Sequence, residues 1–391
     1  MIYFILGSHP DLSLAEIKAV LGSEFKPVFR SETVLLNSDV SMDISDLQER
    51  LAGTIKIGRI IEELKEWNKE NAVQSIATRA SEATGKNKIS YGLSVYNLDD
   101  SKGTKALEQT LDAVGLGIKK ILKALERPVR YVKGKEPRLS SAIVETNGLL
   151  TSGGEFVFFV STRGTYIGQT QSIQNFKAWS DRDYGRPRRD AKAGMLPPKL
   201  ARMMINLGGI DPQGKTILDP FCGSGTVLME AALMGATELI GSDISGKATA
   251  DTATNMHWLA DHFSYAPPQQ SLYTIPAEEL PSLSPPPADL LVTEVFLGDP
   301  RTRTIDTQEG QRLEHELLPI FEDSFNALKT LLKPSARVVV AFPAFKHKDG
   351  TWYRLPMKSL LTNLGYIPEQ NFLYFRDNQF VARDIYVLTL K

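Results

Sequence analysis

Apolar positions along this chain follow two rhythms, and the change between them divides it. In the first half, short runs rich in Ile, Val, Leu and Tyr predict strands over residues 1–7, 33–37, 54–62, 88–95 and 129–132. A helix is expected over 13–21, where Ser13 and Glu16 have capping-box spacing. Leu107, Leu111, Val114, Ile118, Ile121, Leu122 and Leu125 share one face of a helix expected over 104–125. Runs 155–161 and 165–171 predict a hairpin turning at Arg163-Gly164. There is no internal repeat, and the one low-complexity tract is the Pro/Ser loop 282–287.

From residue 197 onward, strands alternate with helices. Helices are expected over 199–207, 225–234, 247–261 and 310–332, and strands over 216–219, 238–243, 271–275, 289–295 and 336–341. That order means βαβ units and a mainly parallel sheet. Residues 372–390 hold two apolar runs with no helix between them, an antiparallel pair that brings the sheet to seven strands. Between the halves, 174–190 is charged and aromatic with little periodicity, and reads as a connection.

At 391 residues the chain is too long for one ordinary core and predicts two or three domains. A composition of 42% apolar, 23% charged and 8% aromatic residues is that of a globular chain, not a disordered one. No apolar run approaches a membrane span, and residues 1–7 lack the basic flank of a signal peptide. A single cysteine, Cys222, excludes a disulfide framework and a multi-cysteine zinc site, and the five histidines sit at no ligand spacing, so no metal is expected. The expected address is the cytoplasm. Net charge is −1, yet eight Lys/Arg fall within 119–138 and eight more within 177–202. Two such concentrations suggest a phosphate-binding face; a solvated helix beside an ordinary loop explains the charge equally well.

The chemistry concentrates in Asp219-Pro220-Phe221-Cys222-Gly223-Ser224-Gly225-Thr226, which follows a strand and opens a helix. Gly223 and Gly225 let the backbone turn and approach a ligand at a helix start. No lysine follows Gly225, as a phosphate-binding loop requires. Ser224 stands directly between glycines, unlike a hydrolase nucleophile, and Leu228 replaces the third glycine of a dinucleotide fingerprint. Asp243 ends the next strand, where a carboxylate can hold a ribose diol. Two strand-end acids fit a nucleoside with a cationic appendage, which is S-adenosylmethionine. Asp219 would face its amino-acid end, with Phe221, Gly223 and Gly225 along the loop, Asp243 its ribose, and Glu278 (or Glu279) its adenine.

The loop, with Gly194-Met195-Leu196-Pro197-Pro198-Lys199-Leu200-Ala201 before it, resembles the THUMP-containing tRNA guanosine N2-methyltransferases of the archaeal and eukaryotic type that act on the D-arm. The connector is similar too, in Arg182-Asp183-Tyr184, Arg186-Pro187 and Arg189-Asp190, as is Leu139-Ser140-Ser141-Ala142. The resemblance covers about residues 138–260 and, by order and size, extends to the rest. It implies an α/β protein with a ferredoxin-like region over 1–70, a THUMP-like RNA-binding domain over 71–172, a linker over 173–194 and a Rossmann-like methyltransferase domain over 195–391. The substrate it implies is the N2 amine of a guanosine in tRNA, with room for a small activating partner subunit.

One departure stands out. Where such enzymes carry [Asp/Asn]-Pro-Pro-[Tyr/Phe], this chain has Glu294-Val295-Phe296. Glu294 and the Val295 carbonyl can accept the two amine N–H bonds, and Phe296 can stack on the base, but the prolines that stiffen the motif are missing. Glu294 and Phe296 are therefore the expected catalytic residues. Asp299-Pro300-Arg301-Thr302-Arg303 follows as a lid or an ordinary loop. RNA contacts are expected from Lys119, Lys120, Lys123, Arg127, Arg182 and Arg186, on one continuous face; Trp179 and Tyr184 either stack on unpaired bases or, equally in keeping with the sequence, pack between domains. The rival functions are amino-methylation of DNA or another RNA, and RNA binding with a vestigial methyltransferase fold.

Overall fold

The first strand, β1 (Ile2–Leu6), is buried at every position, so a neighbour must pair with each edge and pack on each face. In a computed structural model, which describes residues 1–82, 88–189 and 195–391, the chain divides into two units, Met1–Asn175 and Phe176–Lys391. After β1 the first unit continues with α1 (Pro10–Leu21), β2 (Pro27–Arg30), β3 (Val34–Asn37), α2 (Ile44–Arg50) and β4 (Thr54–Leu64). Then come α3 (Lys69–Ser81), β5 (Ile89–Asn97), α4 (Ser101–Lys123) and β6 (Val129–Val132). It ends with α5 (Ser141–Thr146), α6 (Leu149–Ser152) and the hairpin β7 (Gly153–Ser161) and β8 (Gly164–Ile173).

These strands form one eight-stranded sheet, ordered β2-β3-β1-β4-β8-β7-β5-β6. No break falls near residue 70: β4 pairs antiparallel with β1 on one side and β8 on the other. Lys56 of β4 and Glu155 of β7, both buried, form a 2.5 Å ion pair across that join. Glu155 also accepts from Ser94 and Thr170 hydroxyls, and Lys56 donates to the Leu139 carbonyl, so the buried charges are satisfied. Two further expectations change. The α1 helix starts at Pro10, and Glu16 does not cap it; its buried carboxylate accepts the Ala52 and Gly53 amides at 2.9 and 2.8 Å. The α3 helix, absent from the sequence reading, buries Ala72, Val73, Ile76, Ala77 and Ala80 against the same core as α4.

The second unit opens with α7 (Phe176–Ser180), followed by a π-helical turn over Asp181–Gly185. The segment expected as linker therefore carries helix, and most of it belongs with the second unit; Asp190, Lys192 and Gly194 lie outside the described residues. Next come α8 (Pro198–Leu207), β9 (Thr216–Asp219), α9 (Thr226–Leu233), β10 (Glu238–Asp243), α10 (Gly246–Phe263), β11 (Gln269–Thr274) and β12 (Ala288–Glu294). The unit finishes with α11 (Thr307–Leu328), β13 (Leu332–Lys346), β14 (Trp352–Arg354), α12 (Met357–Asn363), β15 (Tyr366–Tyr374) and β16 (Val381–Leu390).

Seven strands run in the order β11-β10-β9-β12-β13-β16-β15, with β14 paired to β13 off that path. The first five are mutually parallel, and β16 is antiparallel to both β13 and β15. Phe321 and Phe325 of α11 meet Phe342 of β13 in the buried core on one face. The chain leaves β9 toward β10 and returns to β9's other edge as β12. Strand order reverses there, and open α/β sheets bind ligands at the carboxyl ends of such strands.

Candidate cofactor and acceptor site

The glycine loop sits at that switch point. Gly223 and Gly225 have φ of 52° and 85°, in the left-handed region that disfavours a side chain. A Cβ on Gly225 would lie 2.8 Å from Thr252, so α10 packs directly on the loop. At Gly223 a Cβ would meet nothing within 4 Å, which leaves that backbone open to a ligand. The Asp243 carboxylate holds the loop in place, accepting from the Gly223 amide at 3.0 Å and the Ser245 amide at 2.9 Å. Each oxygen keeps a second lone pair, enough for a ribose diol. Ile244, beside it, is 77% exposed; sequence reasoning passed over this apolar surface at the mouth of the site.

Asp219 is buried at the end of β9 and accepts from Thr293 Oγ1 at 2.6 Å and the Phe221 amide at 3.3 Å. Burial raises its pKa to about 7; these two hydrogen bonds oppose the rise, and Asp243 and Glu294 add to it. A buried carboxylate in that state suits a cationic partner. Phe221 is half-buried against the core. Cys222 is buried, with burial pushing its thiol up, so it packs as a small apolar residue. Glu278 is exposed, and its carboxylate accepts a long 3.4 Å bond from Ser324 of α11. With the strand-end acids, open glycine backbone and no phosphate-binding lysine, the residues fit S-adenosylmethionine. Among the described residues, no group of three His, Cys, Asp or Glu could hold a metal, and no helix is long and apolar enough to cross a membrane.

The acceptor segment lies one strand away. Thr293, which bonds Asp219, precedes Glu294 at the end of β12. Arg383 of β16 reaches past β13 to grip Glu294 with two bonds, Nε to Oε2 at 2.5 Å and Nη2 to Oε1 at 3.2 Å. Arg383 is buried, so the pair is held with little solvent competition. The Val295 amide donates to the Ala341 carbonyl at 3.2 Å, extending the ladder through the position where a proline would stand in the related motif. Phe296 is 52% exposed, an aromatic face available for stacking. The run after it is tied down: Arg301 and Arg303 bond Glu309 of α11 at 2.7 and 2.9 Å, and Arg301 lies over the Phe345 ring.

Two arginines expected on the RNA face are inside instead. Arg182 Nε donates to Glu230 of α9 at 2.6 Å, and Arg202 of α8 donates to its other oxygen at 2.8 Å. Both guanidinium groups stack on Trp179, which is itself buried. Arg186 is buried against the glycine-loop helix, its Nη1 donating to Thr226 Oγ1 at 2.7 Å. Burial at these positions removes Arg182, Arg186 and Trp179 from RNA contact; charge and spacing gave no hint that α9 would supply a buried partner. Tyr184 is exposed, with Arg189 over its ring. In the first unit, Lys120 and Lys123 are exposed on the last turns of α4 and Lys119 is half-buried, whereas Arg127 donates to the Ser81 carbonyl at 3.4 Å.

Residues 186–258 match a family described as RMKL-like, methyltransferase domain. A tRNA (guanine(10)-N2)-dimethyltransferase from Methanocaldococcus jannaschii is 39% identical over 102 residues, which is 25% of this chain and 28% of that protein. One of the same description from Methanothermobacter thermautotrophicus is 48% identical over 63 residues, 16% of this chain and 18% of that protein. The matches thus span less than a third of those relatives. The crystal structure of TrmN from Thermus thermophilus aligns over 100% of both chains, at a TM-score of 0.55 and 17% identity, a likeness of fold. Over residues 186–258 the second unit is thus similar to a methyltransferase domain, and its sheet is Rossmann-like.

Proposed function

We propose that this chain transfers a methyl group from S-adenosylmethionine to the exocyclic N2 amine of a guanosine in tRNA. The observation that carries the reading is the short path from cofactor to acceptor: Asp219, its hydrogen bond to Thr293, and then Glu294 and Phe296 at the same strand end. The names of the two partly matched relatives support the choice of tRNA guanosine. S-adenosylmethionine, when bound, supplies an electrophilic methyl group.

The residues of this chain do the positioning. Asp219 takes the cationic amino-acid end and Asp243 the ribose diol, with Glu278 and Ile244 toward the adenine. An exocyclic amine is a poor nucleophile because its lone pair is conjugated into the base. The Glu294 carboxylate and the Val295 carbonyl accept its two N–H bonds, while Phe296 stacks on the ring, which turns the lone pair toward the methyl group. Arg383 and the Val295 amide bond supply the stiffness that prolines give in the related motif. That rigidity favours a working acceptor over a vestigial one.

A target base inside a stem must leave its stack, at a cost of a few kcal/mol. Phosphate contacts remote from the reacting base, from Lys119, Lys120 and Lys123 in a THUMP-like first unit, offset that cost. On this reading the enzyme works in the cytoplasm, where its tRNA substrate is, with or without a small activating subunit. Methyl incorporation from labelled cofactor into bulk tRNA and plasmid DNA, followed by nucleoside mass spectrometry, tests the proposal. N2-methylated guanosine in tRNA is the expected product. Incorporation into DNA would transfer the reading to a DNA amino-methyltransferase, and tRNA binding without incorporation would leave an RNA-binding protein.

A further inference from the structure

Arg186 is 2% exposed, yet among the described residues no carboxylate hydrogen-bonds it. Its five N–H donors meet one hydroxyl, that of Thr226, and two thioethers, Met195 Sδ at 3.2 Å and Met229 Sδ at 4.0 Å. Among the described residues the buried Nε has no hydrogen-bond partner. Burial draws the pKa of this guanidinium down; Asp183 and Glu230 attract it through space, but neither hydrogen-bonds it, and both Glu230 oxygens are taken by Arg182 and Arg202. A buried charge with no carboxylate hydrogen-bonded to it is costly, and such groups are normally paired.

The thioether that Arg186 does meet is shared. Ser224 Oγ of the glycine loop also points at Met195 Sδ, at 3.7 Å. Two good donors therefore converge on a poor, flexible acceptor, beside the first residue of α9 and its unpaired amides. Asn255 clamps the segment there, bonding both Arg188 and the Ser224 carbonyl, so the guanidinium is fixed against the loop.

We propose that Arg186, with Ser224, is the anion-binding half of the cofactor site and takes the α-carboxylate of S-adenosylmethionine in place of the Met195 thioether. The inference rests on the cofactor reading above and deepens it: Asp219 takes the ammonium and Arg186 the carboxylate of one amino-acid group. The connector then forms a wall of the cofactor site, not an RNA contact.

Titration calorimetry with S-adenosylmethionine and its decarboxylated form isolates the carboxylate, because the sulfonium, ammonium and nucleoside are common to both. The parent protein should bind the decarboxylated form roughly tenfold to a hundredfold more weakly, the worth of a charge-assisted hydrogen bond. Arg186→Met should bind the two forms alike, and Arg186→Lys should recover part of the difference. Ser224→Ala, at a half-exposed position, should narrow the gap without threatening the fold, and keeps the test open if Arg186→Met does not fold. If Arg186→Met or Ser224→Ala keeps the parent's full preference while S-adenosylmethionine still binds, the assignment is wrong and the cofactor site stands. A loss of tRNA binding with that preference retained would return Arg186 to the RNA. If the parent binds neither ligand, the cofactor reading itself falls, and this assignment with it.

Discussion

Asp219 makes both the stability of the protein and its hold on a cationic ligand depend on pH. Burial raises its pKa from 3.8 to about 7, so between those values the folded protein keeps a proton that the unfolded chain has released. Stability must therefore fall as pH rises through that window, and the loss is complete above the folded value. About three pH units at about 1.4 kcal/mol each come to on the order of 4 kcal/mol. Asp219→Asn removes the titration and keeps an acceptor for Thr293 and Phe221. The difference in urea-unfolding free energy between variant and parent, followed from about pH 5 to about pH 9, should rise in the variant's favour and flatten above neutrality. Cofactor affinity should run the other way. The ionised carboxylate binds the ammonium, so the parent should lose about tenfold in affinity per pH unit below 7. The variant should bind weakly at every pH, without that slope. Parallel stability profiles, or an unchanged affinity slope in the variant, would refute the reasoning.

Three further outcomes follow from other parts of the structure. Glu230→Gln strands Arg182 and Arg202 in the interior and should destabilise the second unit by about 3–5 kcal/mol in urea unfolding. Replacing all three by Leu or Met should restore most of that stability. Arg383→Met frees the Glu294 carboxylate from its grip; kcat on tRNA should fall by roughly a hundredfold, with cofactor affinity by calorimetry unchanged. Neutralising Lys119, Lys120 and Lys123 should weaken tRNA binding and reduce its log–log salt slope by about 0.7–0.9 per lost phosphate contact, with no change in cofactor affinity.

The elements around the glycine loop, α8 to β13, were legible because strand and helix there obey local rules, whereas α7, β14 and α12 were not. β9 and β10 end at the expected Asp219 and Asp243, and the glycine loop announces itself by the strand before it and the positive φ it needs. The first unit was harder. The α3 helix has a weaker apolar stripe than α4, and Ser13 and Glu16 copied a cap whose carboxylate in fact serves amides some 36 residues away in sequence. A local pattern cannot show a distant partner.

The same limit governs the charges. By itself the sequence determined that a strand-end acid, a glycine turn and a second strand-end acid occur in the order a nucleoside site requires, since those positions depend on chain direction and backbone conformation. It also fixed which residue types stand at the acceptor. Only the tertiary structure decided which charges are inside. Arg182 and Arg186 read as surface cations until α9 placed Glu230 and Thr226 against them, and Glu294 read as unsupported until β16 brought Arg383 beside it. Burial and pairing are properties of neighbours brought together by packing, and residues 48 or 89 positions apart leave no trace of each other in a local pattern.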